Sequence, residues 1–351
     1  MEKLSYYDNV GVSQSLLKGY LGSNPQVFEQ EEDEGLWYTE KKHFVLGDGV
    51  DMLLTTPELF DDIMFVSELE EEQKPTGKGL GVVHLAYDKI REQGDISEES
   101  LFENYTHCVL SAARELEWNP KWKDDTVIRN FEPYYTYFLD LLNSDGKIVL
   151  TVQEKAKIDS LVVAIRTHEN TAKYFIPTDN TVIIKQMPIY WDLEGLPCKA
   201  LLDMCIVDKH NKTLQPIDIK TVGKPVADFP KVMKERRYDI QAAWYTLALQ
   251  EFIKNNHEYH GYTILNFKFI AASTTDNIII PIVYTCSDDL LMIGKQGSPK
   301  IAHKTSFGNA VTLRRQIKGY EQLLQDYLCY DDIGFTTHLD VLEGDVTLDW
   351  E

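Results

Sequence analysis

Asp203 interrupts an apolar run, ALLDMCIV, and fifteen residues later Asp218 and Lys220 alternate in PIDIKT. Period-two geometry places Asp218 and Lys220 on one face of a strand. The segment KHNKT between the two runs reads as a hairpin return that would bring Asp203 beside Asp218. Carboxylates forced together repel, so such a pair invites a raised pKa or a divalent cation. With a lysine beside them the set suits phosphodiester hydrolysis. The carboxylates would hold Mg²⁺ or Mn²⁺, as one ion or two, and the metal would polarise the phosphate and acidify water; the ammonium would orient that water or steady developing charge. A single D-x-K is by default a solvated strand pair. Asp203 resists that reading, because a charge amid apolar neighbours needs a partner or a metal.

A second group follows in RRYDIQAAWYTLAL. Gln241 and Tyr245 are four residues apart and share a helix face, while Ile240, Ala243, Trp244 and Leu247 can face a core. A Gln/Tyr pair beside a metal site can hold a phosphate backbone or orient the lysine. Arg236 and Arg237, one turn earlier, suit phosphate contact.

These residues need a sheet and a helix to position them, and the pattern supplies both. Residues 82–145 read mainly as helices, and a further helix covers Val152 to about Thr167. Short runs rich in β-branched residues follow at 182–191, 198–207 and 215–222, separated by EG and KHNK turns. A helix is expected from Pro230 to Lys254, strands at 264–273 and 277–286, and a last helix from Asn309 to Leu328. The charged, Pro- and Gly-bearing stretch 70–81 reads as a loop. Strands, a helix and more strands after a helical half make an α/β fold with a mixed central sheet flanked by helices.

The 351 residues are 43% hydrophobic and 26% charged, which excludes wholesale disorder. No apolar run approaches the ~18–20 residues of a membrane span, and the opening residues lack the basic and apolar regions of a signal peptide. Five cysteines (Cys108, Cys198, Cys205, Cys286 and Cys329) contain no CxxC pair. They read as reduced thiols of an intracellular, cytoplasmic protein. The net charge of −21 is concentrated in residues 1–35, 58–103 and 331–351, which carry −5, −9 and −7. Residues 209–240 instead hold eight bases against four acids. Such a chain can repel DNA from most of its surface and still present one cationic groove.

Together, the D(203)…D(218)-I-K(220)-T and Q(241)-x3-Y(245) motifs resemble the PD-(D/E)XK nuclease superfamily, and within it the RecB-type and RecE-type (exonuclease VIII-like) branch. VSQSLLKGYLGSNPQVF (12–28) is similar to that branch's opening segment, and LGDGVDMLLTTPELF (46–60) to its G-x-x-x-H-x-x-L…P-x-x-F segment. FKFIAAS and the closing Q-I-x-x-Y-like helix align in character. The resemblance implies a restriction-endonuclease-like core over 151–330. An N-terminal helical region over 1–150 would shape a DNA channel, and 331–351 would be an acidic tail. It implies an exonuclease of bacterial or phage origin acting on ends of double-stranded DNA, with a single-strand annealing protein as a partner and assembly into a homo-oligomeric ring. It assigns the backbone carbonyl of Ile219 to the metal and places Thr221 beside the DNA. Asp51 stands where the family offers a histidine ligand. It reads either as a third oxygen ligand or as the cap of a helix starting at Met52, with His43 an alternative ligand. Two competing readings remain: a DNA-end-binding or assembly module with this fold and little catalysis, and an unrelated α/β protein in which the three residues lie far apart. No G-x-x-x-x-G-K-[ST] motif is present, so any unwinding would come from a partner.

Overall fold

A computed structural model describes residues 6, 9–21, 42–94, 97–298, 302–304, 311–313 and 317–333. Its centre is a mixed sheet whose strands are β3 (Thr181–Leu193), β4 (Leu196–Asp208), β5 (Thr213–Val222), β6 (Thr263–Ile264), β7 (Lys268–Ser273) and β8 (Ile282–Thr285). Two short strands precede it, β1 (Met64–Val66) and β2 (Ile148–Leu150), and pair in parallel with each other. The sheet order is β3-β4-β5-β7-β8, with β6 on β5. All neighbours are antiparallel except β5, which runs parallel to β6 and β7.

Turn chemistry sets the hairpins. Glu194 and Gly195 both have positive φ (56° and 91°), the two-residue geometry that matches the twist of flanking strands. At the next return the Asp208 carboxylate accepts from the N–H groups of His210 and Asn211, both at 2.9 Å.

The β4–β5 pairing ends at Met204↔Ile217, although both strands continue. Beyond that point, among the described strands, β4 keeps β3 and β5 keeps β7 but not each other, so a fork opens beside Asp203 and Asp218. On β4, Cys198, Ala200 and Leu202 join one core, and so do Cys205 and Val207. The inward parity therefore changes across Asp203. Opposite it, Gln186 takes a left-handed φ of 47° and is skipped in the β3–β4 ladder. This local kink re-aims both side chains.

The helices that matter here are α1 (Gln14–Gly19), α2 (Lys42–Thr55), α3 (Lys78–Glu92), α4 (Glu98–Glu115), α5 (Asp124–Phe131), α6 (Tyr135–Asn143), α7 (Val152–Thr167), α8 (Phe229–Glu235), α9 (Tyr238–Asn255), α10 (Asp288–Gln296) and α11 (Tyr320–Ile333). One sheet face packs on α9, α1 and α11 through Leu202, Trp244, Leu17 and Leu323. The other packs on α2 and α7 through Ile217, Ile270, Val50 and Ile158. Segments on both sides of residue 150 thus build the sheet's cores. A third cluster, centred on Tyr105, Phe131 and Phe138, belongs to α3–α6. A reciprocal cap starts α7: Thr151 Oγ1 accepts from the Glu154 N–H, and Glu154 accepts from the Thr151 N–H.

Several expected elements are revised. The helix over Pro230–Lys254 is two helices, α8 and α9, because Arg237 is left-handed (φ 52°, ψ 47°). The strand expected at 277–286 shrinks to β8, and that at 264–273 divides into β6 and β7. The helix expected from Asn309 starts instead at Tyr320, after an extended stretch at Val311–Leu313. Residues 22–28 of the opening segment and 334–351 of the acidic tail lie outside the described residues. The cysteines are free thiols, four of them buried. Among the described residues no helix is long and apolar enough to cross a membrane.

Close packing fixes α9. A Cβ on Gly294 of α10 would lie 2.0 Å from the Asp239 carbonyl oxygen, a backbone atom in the first turn of α9. Gly294→Ala is therefore expected to destabilise the protein by about 2 kcal/mol or more, overpacking outweighing the ~1 kcal/mol gained in helix propensity. Denaturant unfolding measures it, and an equal or raised midpoint would contradict the packing described.

Candidate active site

The fork holds three of the residues singled out by spacing. Asp218 is 0% exposed on β5, and its Oδ2 lies 2.7 Å from the Lys220 ammonium, whose side chain is 20% exposed. Asp203 stands across the fork, where its Oδ2 accepts from the Ile219 N–H at 2.8 Å. Burial and then the Asp203 charge push the Asp218 carboxyl well up, against the pull of Lys220. Burial draws the Lys220 ammonium down, but the carboxylates of Asp218 and Asp203 more than reverse this, for a net rise. The Lys220 ammonium at 2.7 Å thus faces two carboxylates, and Lys18 adds a weaker pull from farther away.

Gln241 and Tyr245 stand behind this set. The Gln241 amide donates to Asp218 Oδ1 at 2.7 Å, and both side chains are buried. Burial, reinforced by Asp218 and Asp203, raises the Tyr245 phenol pKa, and the phenol also meets the Gln241 amide. Neither residue lines the open cavity described below, so both buttress the carboxylates from the core side. The helix face they share points at the sheet, because α9 covers it. Arg237 is also committed elsewhere. Its guanidinium clamps Asp239 (2.9 Å) and donates to the Lys318 carbonyl (2.6 Å), which holds the left-handed break between α8 and α9. Arg236, by contrast, is exposed and lines the cavity.

That cavity, about 420 Å³, runs from Asp203, Ile219, Lys220 and Thr221 to Asp51 and Arg236. Helix α2 forms its wall. The LGDG segment is inside this helix rather than a turn before it, because its glycines permit close approach: a Cβ on Gly47 would lie 2.9 Å from Thr221 Oγ1. Asp51 is consequently inside Lys42–Thr55, one turn before its end, and caps no helix start, which removes one of its two readings. Its carboxylate accepts from the Gln186 amide at 3.1 Å and 3.3 Å, and the same amide reaches Thr55 Oγ1 at 3.0 Å. His43 lies in the same helix.

The donor chemistry fits a hard divalent cation. The cavity's acidic ligating groups are carboxylates, and the buried Asp218 Oδ2 accepts no hydrogen bond of proper geometry despite its ion pair. Asp203 and Asp218 would hold the ion, with the Ile219 main chain alongside. Among the described residues no three Asp, Glu, His or Cys side chains gather into a ready-made cage.

Two features have no signal in the sequence, one lining the cavity and one behind Asp51. Tyr238 sits with its ring centroid 5.1 Å from Lys220 Nζ, a cation–π contact that walls the lysine. Its place at the start of a helix after two arginines gave no signal. Gln186 lies in an apolar strand, and only its positive φ marks it.

No family model and no curated protein matches the chain. Among solved structures it is similar to the crystal structure of a candidate exonuclease from Eubacterium rectale, at 17% identity and a TM-score of 0.31. The match covers 52% of this chain and 66%, just under two thirds, of that one. A likeness of that size leaves the chemistry to be read from the site itself: a mixed sheet flanked by helices, with two aspartates and a lysine meeting where two of its strands part.

Proposed function

We propose that the chain is a metal-dependent deoxyribonuclease that degrades linear double-stranded DNA from its ends. The observation that carries this reading is the meeting of Asp203, Asp218 and Lys220, with Lys220 Nζ 2.7 Å from the buried Asp218 and with Asp203 and Lys220 lining an open cavity. Mg²⁺ or Mn²⁺ bound by Asp203, Asp218 and the Ile219 carbonyl would polarise a phosphate oxygen and acidify water. The Asp218 carboxylate holds the Lys220 ammonium, which then donates a hydrogen bond to the attacking water or the phosphate oxygen on which charge develops. Tyr238 shields that ammonium from bulk water on one side. Gln241 fixes the rotamer of Asp218, and the Ile219 N–H that of Asp203. Arg236 and Thr221 line the same opening and are placed to meet the DNA backbone.

The test is hydrolysis of linear duplex DNA against a covalently closed circle of the same sequence, with Mg²⁺ or Mn²⁺ present. Degradation of the linear form alone supports an exonuclease. Cutting of the circle would make the enzyme an endonuclease. Binding of ends without metal-stimulated degradation would replace this reading with a DNA-end-binding module, which the lack of a three-donor cage among the described residues favours.

Asp51 tests the extent of the metal site. If its carboxylate ligates, Asp51→Asn should raise the Mn²⁺ concentration for half-maximal activity roughly tenfold or more, with little change in melting temperature. Asp51→His should restore activity and shift preference toward softer ions such as Co²⁺. An unchanged Mn²⁺ midpoint in Asp51→Asn would limit Asp51 to its bond with Gln186.

A further inference from the structure

The N-terminal segment enters the fold at the fork. Val12 bridges to Cys198 in parallel, its N–H donating to the Pro197 carbonyl and its carbonyl accepting from the Lys199 N–H, both at 2.9 Å. It thereby pairs with a stretch of β4 that has lost β5. Ser13 then caps α1 by accepting from the Leu16 N–H at 3.2 Å, and Leu17 is buried in the core. The helix is pinned by main chain and apolar contact, which leaves Lys18 in its last turn to serve another purpose.

Lys18 Nζ lies 5.7 Å from the centroid of the Tyr238 ring, the same ring that Lys220 Nζ meets at 5.1 Å. Two ammonium groups so share the Tyr238 ring, which itself lines the cavity. Lys220 has Asp218 within ion-pair distance; among the described residues Lys18 has no carboxylate within 4.0 Å, and Asp218 and Asp239 act on it only from farther away. A half-buried cation beside another cation is an unfavourable arrangement for the free protein. It becomes favourable when an anion arrives.

We propose that Lys18 is a DNA-phosphate contact: its ammonium takes a non-bridging oxygen of a backbone phosphate held beside the one that Lys220 serves. The inference rests on the nuclease reading and adds to it a residue outside the sheet and α9. Burial, and then the Lys220 charge, lower the Lys18 pKa to about 8, and a phosphate anion would reverse that direction.

The experiment measures equilibrium binding of a short blunt duplex by fluorescence anisotropy, in EDTA to prevent cleavage, across a salt series. Loss of one phosphate contact should weaken Lys18→Gln about eightfold at 0.1 M salt and flatten the slope of log K against log[salt] by about 0.9. Lys18→Arg should retain both, and melting temperatures should match. Unchanged affinity and slope in Lys18→Gln, with the unaltered protein binding normally, would overturn the proposal. So would a lowered melting temperature at unchanged slope, which would assign Lys18 to packing on Tyr238; Lys18→Met, which keeps the aliphatic stem, should then melt like the unaltered protein. Failure of the unaltered protein to bind or cut DNA would instead defeat the nuclease reading, and this inference with it.

Discussion

Asp203→Asn and Asp218→Asn are each expected to abolish metal-dependent cleavage of linear duplex DNA while the protein stays folded. Asparagine keeps the shape of the side chain and one acceptor oxygen. The Ile219 N–H can still donate at position 203, and the Gln241 amide at position 218. What is lost is the anionic charge that draws a divalent cation. Asp218→Ala is a different experiment. It also strands a buried amide donor, at about 1–3 kcal/mol, whereas loss of the Lys220 ion pair is common to both variants. Breaking a buried pair from one side costs roughly 3–5 kcal/mol, and the one-fifth exposure of Lys220 keeps the expected loss toward the lower end. The alanine variant should thus melt below the asparagine variant by the stranded Gln241 donor, both having lost the ion pair, and both should be inactive. Hydrolysis progress curves with Mn²⁺ and thermal melts on the three variants decide the matter. Near-normal cleavage by either asparagine variant would remove the paired-aspartate mechanism.

The meeting of Asp203, Asp218 and Lys220 was legible because it follows from strand alternation together with a hairpin return. Alternation puts Asp218 and Lys220 on one face, and the KHNK return sets a register that runs Met204 against Ile217, one step short of the two aspartates. The sheet's mixed character and its helical cover were likewise carried by pattern. What the sequence concealed has a common cause: tertiary contact overrode a local rule. LGDG has the composition of a turn, yet its glycines lie in a helix packed against Thr221 and Ile158. RRYDIQ has no breaker, yet Arg237 adopts a left-handed conformation held by Asp239 and the distant Lys318 carbonyl. The same spacing that put Gln241 and Tyr245 on one face could not say whether that face met DNA or the sheet. Position on α9 decides it, and only the fold fixes which way α9 is turned. Lys18 was the least legible, because its place depends on a fork in a sheet some 180 residues away in sequence.

Lys220→Ala is expected to lower turnover by roughly 10²–10⁴-fold, the range for removing a positioned proton-transfer or charge-stabilising group. Affinity for DNA, measured without metal, should change much less, because Arg236 and Thr221 remain on the cavity wall. The separation matters, since a lysine that merely attracted the polyanion would show the reverse pattern. The fold adds a second consequence. Asp218 loses the ammonium at 2.7 Å and keeps only Gln241, so two carboxylates then face each other with less opposing charge. The alanine variant should therefore bind Mn²⁺ no more weakly than the unaltered protein, and calorimetric titration can read this independently of turnover. Lys220→Arg should not restore the rate. Its planar fork needs more room than a single ammonium set between Asp218 and the Tyr238 ring, and its fixed donors cannot follow a water as it attacks. Full rescue by arginine would reduce the role of Lys220 to its positive charge. Unchanged turnover in Lys220→Ala would remove it from the chemistry, and with it the reason for an ion pair to be held at the open end of the fork.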